Sequence, residues 1–200
     1  NQQSFLDASH PDADLLESLA AESYHRYHLE NGLTVLLKPD SSLALCSTQV
    51  WIKSGSIHEE GSLGAGLSHY LEHMLFKGTE KREGREISEC VQAAGGYINA
   101  YTTFDRTVYY IDIPSENVDV ALDVLGDSVF KSTLPPDEIE KERDVILREI
   151  DMGEDDPDRK LIRALFETAF RTHPFRYPII GYKDLFANVS RDELVAYYER

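Results

Sequence analysis

The residues of this sequence with the most evident chemistry are two histidines and a glutamate in the run H-Y-L-E-H, at 69–73. His69 and His73 are four positions apart, so on a helix their imidazoles lie on one face, about one turn apart. Both rings can therefore bind a single metal ion. Glu72 lies beside them, close enough to take a proton from water near that ion without binding the ion itself. The run predicts a zinc site for hydrolysis, with Glu72 as general base.

This spacing does not define the third metal ligand. A catalytic zinc site needs a third protein ligand and an open position, and two histidines are often combined with a carboxylate. The chain contains 36 aspartate and glutamate residues, so many of them could fill that place. Taken alone, the run is also compatible with a surface helix that carries two unrelated histidines.

The H-Y-L-E-H run must be held on a helix, and the surrounding pattern predicts one that ends near Gly78. Its apolar residues recur with a helical period at Leu67, Tyr70, Leu71, Met74 and Leu75. Upstream, strand-like runs flank Asn31-Gly32, a strong hairpin signal, and a third strand is predicted over 44–53. That strand holds Trp51, the only tryptophan, which we predict to lie in the core.

Further elements follow this helix along the chain. The patterns predict a helix over 85–94, an antiparallel strand pair over 97–102 and 107–113, and helices over 118–130, from 135, over 157–170 and around 191. Strands come early and helices late, which indicates an α+β domain with a mostly antiparallel sheet and helices packed on one face. Residues 1–25 are polar and weakly patterned, so we predict an arm there and the domain over 26–200.

The overall charge and hydropathy exclude some classes of partner. The formal net charge is −16, which repels polyanions, so nucleic-acid binding is disfavoured and cationic ligands are favoured. No run of 18 or more apolar residues occurs, so no membrane span is predicted. We expect a soluble protein of the cytoplasm or periplasm, with the compartment left open because a removed leader would not be visible.

Three segments together resemble a known family. The helix motif reads G-L-S-H-Y-L-E-H-M-L-F-K-G-T over 66–79, and it is followed by G-G-Y-I-N-A-Y-T over 95–102 and E-R-D-V-I-L-R-E over 142–149. This order resembles the insulinase, or pitrilysin-like, family of inverted zinc metallopeptidases, whose signature is H-x-x-E-H. The resemblance covers most of the chain from about Tyr27. It implies the fold of a metallopeptidase half-clamshell that holds one Zn²⁺ per domain.

The resemblance also implies roles for individual residues. It assigns the third metal ligand to Glu149, 76 positions after His73. Glu142, seven residues earlier on the same predicted helix face, is implied as a second acid that orients a ligand or water. In such peptidases the Asn-Ala strand is a sheet edge to which substrate adds as an extra strand, which implies Asn99 and Ala100 as substrate contacts. The alternatives are a solvated helix acid and an ordinary strand start.

Two functions of different classes follow from the resemblance. The first is a zinc-dependent endopeptidase that hydrolyses peptide bonds of extended peptides or unfolded protein segments. The second is a non-catalytic scaffold or assembly subunit of the same fold. Family members form a clamshell in which such a domain faces a second, similarly folded domain, in the same chain or in another subunit. Because that half is missing and the first residue is Asn, we expect a fragment with weak or no activity alone.

Overall fold

The computed structural model describes residues 24–200. The chain divides into two compact units, Asn1–Ala44 and Leu45–Arg200. In the first, β1 (His25–His28) and β2 (Thr34–Leu37) form an antiparallel hairpin, as the Asn31-Gly32 signal predicts. Gly32 has φ 87°, a left-handed conformation that favours glycine in such a turn. Most of the predicted arm, residues 1–23, lies outside the described residues.

The second unit is built on a three-stranded antiparallel sheet. Its strands are β3 (Leu45–Ile52), β4 (Tyr97–Thr102) and β5 (Thr107–Pro114), which pair in the order β3-β5-β4. β5 is therefore central, and β4 lies at an edge of this sheet in the part of the chain that the structure describes. The pairing of β4 with β5 confirms the predicted antiparallel pair.

One face of this sheet is covered by helices, and in the described residues the other, the open face, is largely exposed. Along β3, half-buried and exposed residues alternate, with Cys46, Val50 and Ile52 on the covered face. Trp51 is on the open face and is 57% exposed, with the guanidinium of Arg106 5.5 Å from its ring centroid. The prediction that Trp51 lies in the core is therefore wrong, because apolar content marks a strand without marking which of its two faces is covered.

Seven α-helices lie in the described residues, and all are in the second unit. They are α1 (Leu67–Met74), α2 (Gly84–Ala93), α3 (Val118–Phe130), α4 (Pro136–Asp155), α5 (Pro157–Ala169), α6 (Lys183–Phe186) and α7 (Arg191–Glu199). The short helix α6 was not predicted, and α1 ends at Met74 rather than near Gly78. No described helix is long and apolar enough to cross a membrane.

The core lies between the sheet and the helices, with α1 at its centre. The five apolar residues predicted to line α1 are all buried, and Tyr70 and Met74 are fully so. They pack in one cluster with residues of β5, α3 and α4, among them Ile111, Val124 and Ile146. The predicted α+β class, with a mostly antiparallel sheet and helices on one face, is confirmed.

Candidate metal centre

The start of helix α1 is fixed by a buried carboxylate and a close backbone contact. Both oxygens of Glu59 accept hydrogen bonds, from the amides of Gly66 and Ser68, at 3.0 Å each. Gly66 has φ 76°, and a Cβ there would lie 2.3 Å from the carbonyl oxygen of Ile180, so only glycine fits. Burial raises the pKa of Glu59 to about 7, against the opposing effect of these hydrogen bonds. The helix that carries the histidines therefore begins at a defined point.

Helix α1 is joined to helix α4 through its buried face. The hydroxyl of Tyr70 donates a 2.5 Å hydrogen bond to the carbonyl oxygen of Ile139 at the start of α4. The ring of Tyr70 packs against Phe186, which is also fully buried. His69 and His73 lie on another face of α1, and this packing brings the later turns of α4 alongside them.

Three side chains converge there: His69 and His73, which the spacing predicts as metal ligands, and Glu149, which the resemblance implies. The Nε2 atoms of His69 and His73 each lie 3.8 Å from Oε2 of Glu149, and one ligand atom from each residue lies within 4.8 Å of the others. Ligand atoms of tetrahedral zinc, with bonds of about 2 Å, lie about 3.3 Å apart, so small side-chain movements would close the site. Two imidazoles and a carboxylate are a donor set that zinc prefers.

The protonation state of His69 suits metal binding. Burial, with a smaller contribution from the charge of His73, lowers the pKa of His69 to about 3. The ring is therefore neutral at physiological pH, with a lone pair on one nitrogen. Its Nδ1 is buried and has no hydrogen-bond partner, while its Nε2 faces Glu149.

Glu142 lies behind this group and contacts one of the histidines. It is 7% exposed, and its Oε2 accepts a 3.0 Å hydrogen bond from Nδ1 of His73. Its other oxygen lies 2.6 Å from Nζ of Lys77. Burial opposes ionisation, but the hydrogen bonds from Lys77 and His73 lower the pKa of Glu142 overall. An ionised Glu142 keeps the proton of His73 on Nδ1 and leaves Nε2 free for a metal.

Lys77 was not predicted as a site residue from the sequence. It lies four positions after His73, within the motif shared with the family, so helical spacing could have suggested it. Because α1 ends at Met74, however, Lys77 reaches Glu142 from the turn after the helix rather than from the helix itself.

Glu72 is placed beside the converging ligands but is not one of them. It lines a cavity of about 910 Å³ together with His73 and Phe76. Burial raises the pKa of its carboxyl group, against hydrogen bonding from Thr102 at the end of β4. The glutamate therefore lies between the two histidines and the edge strand.

Asn99 and Ala100 line the same cavity from strand β4. Asn99 is exposed and Ala100 is half-buried. The amide of Ala100 donates to Oδ1 of Asn99 at 2.9 Å, and Nδ2 of Asn99 donates to the hydroxyl of Tyr97 at 2.8 Å. The edge of the sheet thus adjoins the cavity that holds Glu72.

Comparison with known proteins places this chain in a family. Residues 34–183 match the family described as Insulinase (Peptidase family M16). The chain is 38% identical over 172 residues to the uncharacterized zinc protease YmxG of Bacillus subtilis, covering 86% of this chain and 42% of that protein. It is also 38% identical over 169 residues to a probable mitochondrial-processing peptidase subunit beta of Arabidopsis thaliana, covering 84% and 32%.

Solved structures agree with this result. A protease from Helicobacter pylori superposes with a TM-score of 0.84 at 28% identity, over 88% of this chain and 43% of that one. An inactive domain of a Pseudomonas fluorescens M16 peptidase has a TM-score of 0.81 at 17% identity, a likeness of fold alone. The chain spans less than half the length of these relatives. From the family match and these relatives, the chain belongs to the insulinase family of peptidases, family M16.

Proposed function

We propose that this domain binds one Zn²⁺ through His69, His73 and Glu149 and acts as the metal-binding half of an endopeptidase. The observation that carries the proposal is the convergence of these three side chains from two helices, with a neutral His69 among them. The substrates of this endopeptidase would be extended peptides or unfolded segments of proteins.

The remaining site residues support a hydrolytic reaction. When bound, zinc supplies Lewis-acid chemistry and makes water more acidic. Glu72 accepts the proton of the attacking water at its carboxylate and can donate it to the leaving amine. Its raised pKa brings that carboxyl group closer to neutral pH, where a group that both accepts and donates a proton is most effective. Glu142 orients His73 and, in this proposal, does not contact the substrate.

The substrate would bind as an added strand along β4. An edge strand offers backbone groups to any extended peptide, whatever its side chains. The amide of Ala100 is available for this purpose once Asn99 releases it, and Asn99 can then bond the peptide with its own amide group. A peptide in this position passes the cavity that holds Glu72.

A second domain of the same family would complete the enzyme. The matched relatives are more than twice as long as the segment that they share with this chain. We propose that residues 26–200 form one half of a clamshell and that the other half, in the same chain or another subunit, covers the substrate. Residues 1–25 would form an arm outside this domain.

A metal analysis with a matched variant tests the proposal. We expect the parent protein to bind about one zinc per chain and His69→Ala to bind none. In the full-length protein, Glu72→Gln should retain zinc, but its kcat should fall at least 100-fold. Glu83→Gln is the control, because Glu83 is an exposed carboxylate that lines the same cavity. The protein with this substitution should cleave as the parent does. Undiminished cleavage by Glu72→Gln would rule out the role given to Glu72.

The alternative, a scaffold subunit without catalysis, makes the opposite prediction. Such a protein would have no need of zinc, and its assembly with a partner would be unaffected by His69→Ala. The convergence of His69, His73 and Glu149 and the placement of Glu72 support the enzyme.

A further inference from the structure

A second cavity adjoins two of the proposed metal ligands. It has a volume of about 570 Å³, and its lining includes His69 and Glu149 but not Glu72 or His73. It also includes Thr102, the last residue of β4, and Phe104 just beyond it. The two cavities therefore meet successive parts of the same edge: the first at 98–100 and the second at 102–104.

The wall of this second cavity is aromatic and already assembled. Phe104 stacks on Phe166 of α5, with ring centroids 5.3 Å apart and planes inclined by 23°. Phe104 also contacts Phe175, with centroids 4.7 Å apart. Ile162, one turn before Phe166 on α5, extends the wall and is 57% exposed. Aromatic and aliphatic walls of this kind favour large apolar side chains.

The charged residues of the cavity are mostly basic, in contrast to the acidic chain as a whole. Arg163 donates to Glu154 through both of its terminal nitrogens. Nε of Arg159 lies 3.6 Å from Oδ2 of Asp156. Arg176 has no ion pair among the described residues, and its Nε is buried without a hydrogen-bond partner. The one carboxylate of the lining, Glu149, is a metal ligand in the proposed function, so the charge of Arg176 disfavours a cationic side chain in the cavity.

We propose that this second cavity is a specificity pocket, which selects a large apolar or aromatic substrate side chain near the cleaved bond and rejects lysine and arginine. The proposal rests on the proposed peptidase function. A peptide would lie along β4 with its scissile bond at His69, His73 and Glu149, the proposed metal group. Its side chains then lie on either side of that bond, and one of them enters this pocket. The net charge of −16 attracts basic peptides at long range, but the pocket sets a local preference of a different kind.

The test uses the zinc-loaded full-length protein and peptides that differ only at single positions flanking the cleaved bond. At one such position we expect phenylalanine or leucine to give a kcat/KM at least tenfold above alanine, and lysine to be disfavoured. Ile162→Glu should reverse this preference toward lysine by tenfold or more. Leu161→Glu is the matched control, because Leu161 is the adjacent residue of α5, is 69% exposed and does not line the pocket.

The possible results separate this proposal from the proposed function. Zinc-dependent cleavage with no such preference, or an equal effect of Ile162→Glu and Leu161→Glu, overturns the pocket and leaves the peptidase intact. If no zinc-dependent cleavage occurs, the peptidase proposal fails. Peptide binding to the zinc-loaded Glu72→Gln protein, measured by fluorescence anisotropy, then decides the pocket: equal affinity for phenylalanine and lysine peptides overturns it.

Discussion

At the scale of single residues, the proposed metal group of His69, His73 and Glu149 is in contact with a charge that lies outside it. Glu142 is almost fully buried, and it keeps its negative charge because Lys77 and His73 both donate to it. A buried carboxylate without such partners would be driven to the neutral form. The contacts from Lys77 through Glu142 to His73 therefore fix the orientation of one imidazole. A histidine on an open surface would have no such partner.

This chain of contacts leads to a prediction for zinc affinity. In Glu142→Gln the side chain can still accept from Nδ1 of His73, but it no longer carries a charge that makes the imidazole a better ligand. We expect zinc affinity to fall about tenfold, measured by competition with a chromophoric chelator. Glu140→Gln, an exposed carboxylate on the same helix, should bind zinc as the parent does. Equal affinities in the two variants would show that Glu142 has no part in holding the metal group.

At the scale of elements, the position of α1 is set by the loop before it. Glu59 replaces water as acceptor for two of the first amides of the helix, which have no partner within the helix itself. Ser68 also bonds the hydroxyl of Tyr197 at 2.8 Å, which ties the same turn to α7. A shift of this turn would move His69, which follows Ser68 directly.

Burial of Glu59 should make stability depend on pH. Its pKa is about 7 when folded and 4.5 as a model value, so between these values the folded state binds more protons than the unfolded state. The contribution of Glu59 to the free energy of unfolding is therefore fully present below pH 4.5. It is lost as the pH rises to 7, and the loss amounts to roughly 3 kcal/mol. In Glu59→Gln this loss should vanish, as measured by urea unfolding of the metal-free chain at pH 5 and 7.5.

Glu60→Gln is the control for this experiment, because the neighbouring Glu60 is largely exposed. The free energy of unfolding of the wild type could fall no more between pH 5 and 7.5 than that of Glu59→Gln. This result would mean that the hydrogen bonds from Gly66 and Ser68 outweigh the effect of burial on the pKa of Glu59. The carboxylate would then be ionised throughout the pH range of the measurement.

The elements themselves could be predicted well from the sequence, since their periods are local properties. The alternation in β3 and the helical period of α1 both define faces, and the α1 face was predicted correctly. Trp51 was misplaced because the covering of a sheet face depends on distant helices. Leu122 of α3 is apolar yet 56% exposed, so residue type alone does not show which side of that helix is covered.

The site could be predicted only in part by spacing. His69, Glu72 and His73 lie within one helical turn of each other, so their pattern is visible locally. Glu149 comes from a helix 76 positions later, and only the resemblance indicated it among 36 acids. The pocket formed by Phe104, Phe166 and Phe175 had no signal at all, because its three rings come from three separate segments.

At the scale of the whole molecule, the proposed metal group is partly exposed to solvent. Glu149 has a side chain that is 38% exposed, compared with 13% for His69. Catalysis by such a group is weakened by bulk water, which screens charges and competes for the developing oxyanion. A second domain placed over β4 and the two cavities would exclude that water and hold the peptide at the edge.

The domain alone should therefore bind zinc but cleave poorly. We expect about one zinc per chain by metal analysis of residues 1–200, and a kcat/KM at least 100-fold below that of the full-length protein on the same unstructured peptide. Addition of the second domain as a separate chain should restore cleavage in a concentration-dependent manner, and a second domain added to the His69→Ala chain provides the control. Full activity of residues 1–200 alone would contradict the clamshell, because the edge strand and the metal group would then suffice to position a peptide in open solvent.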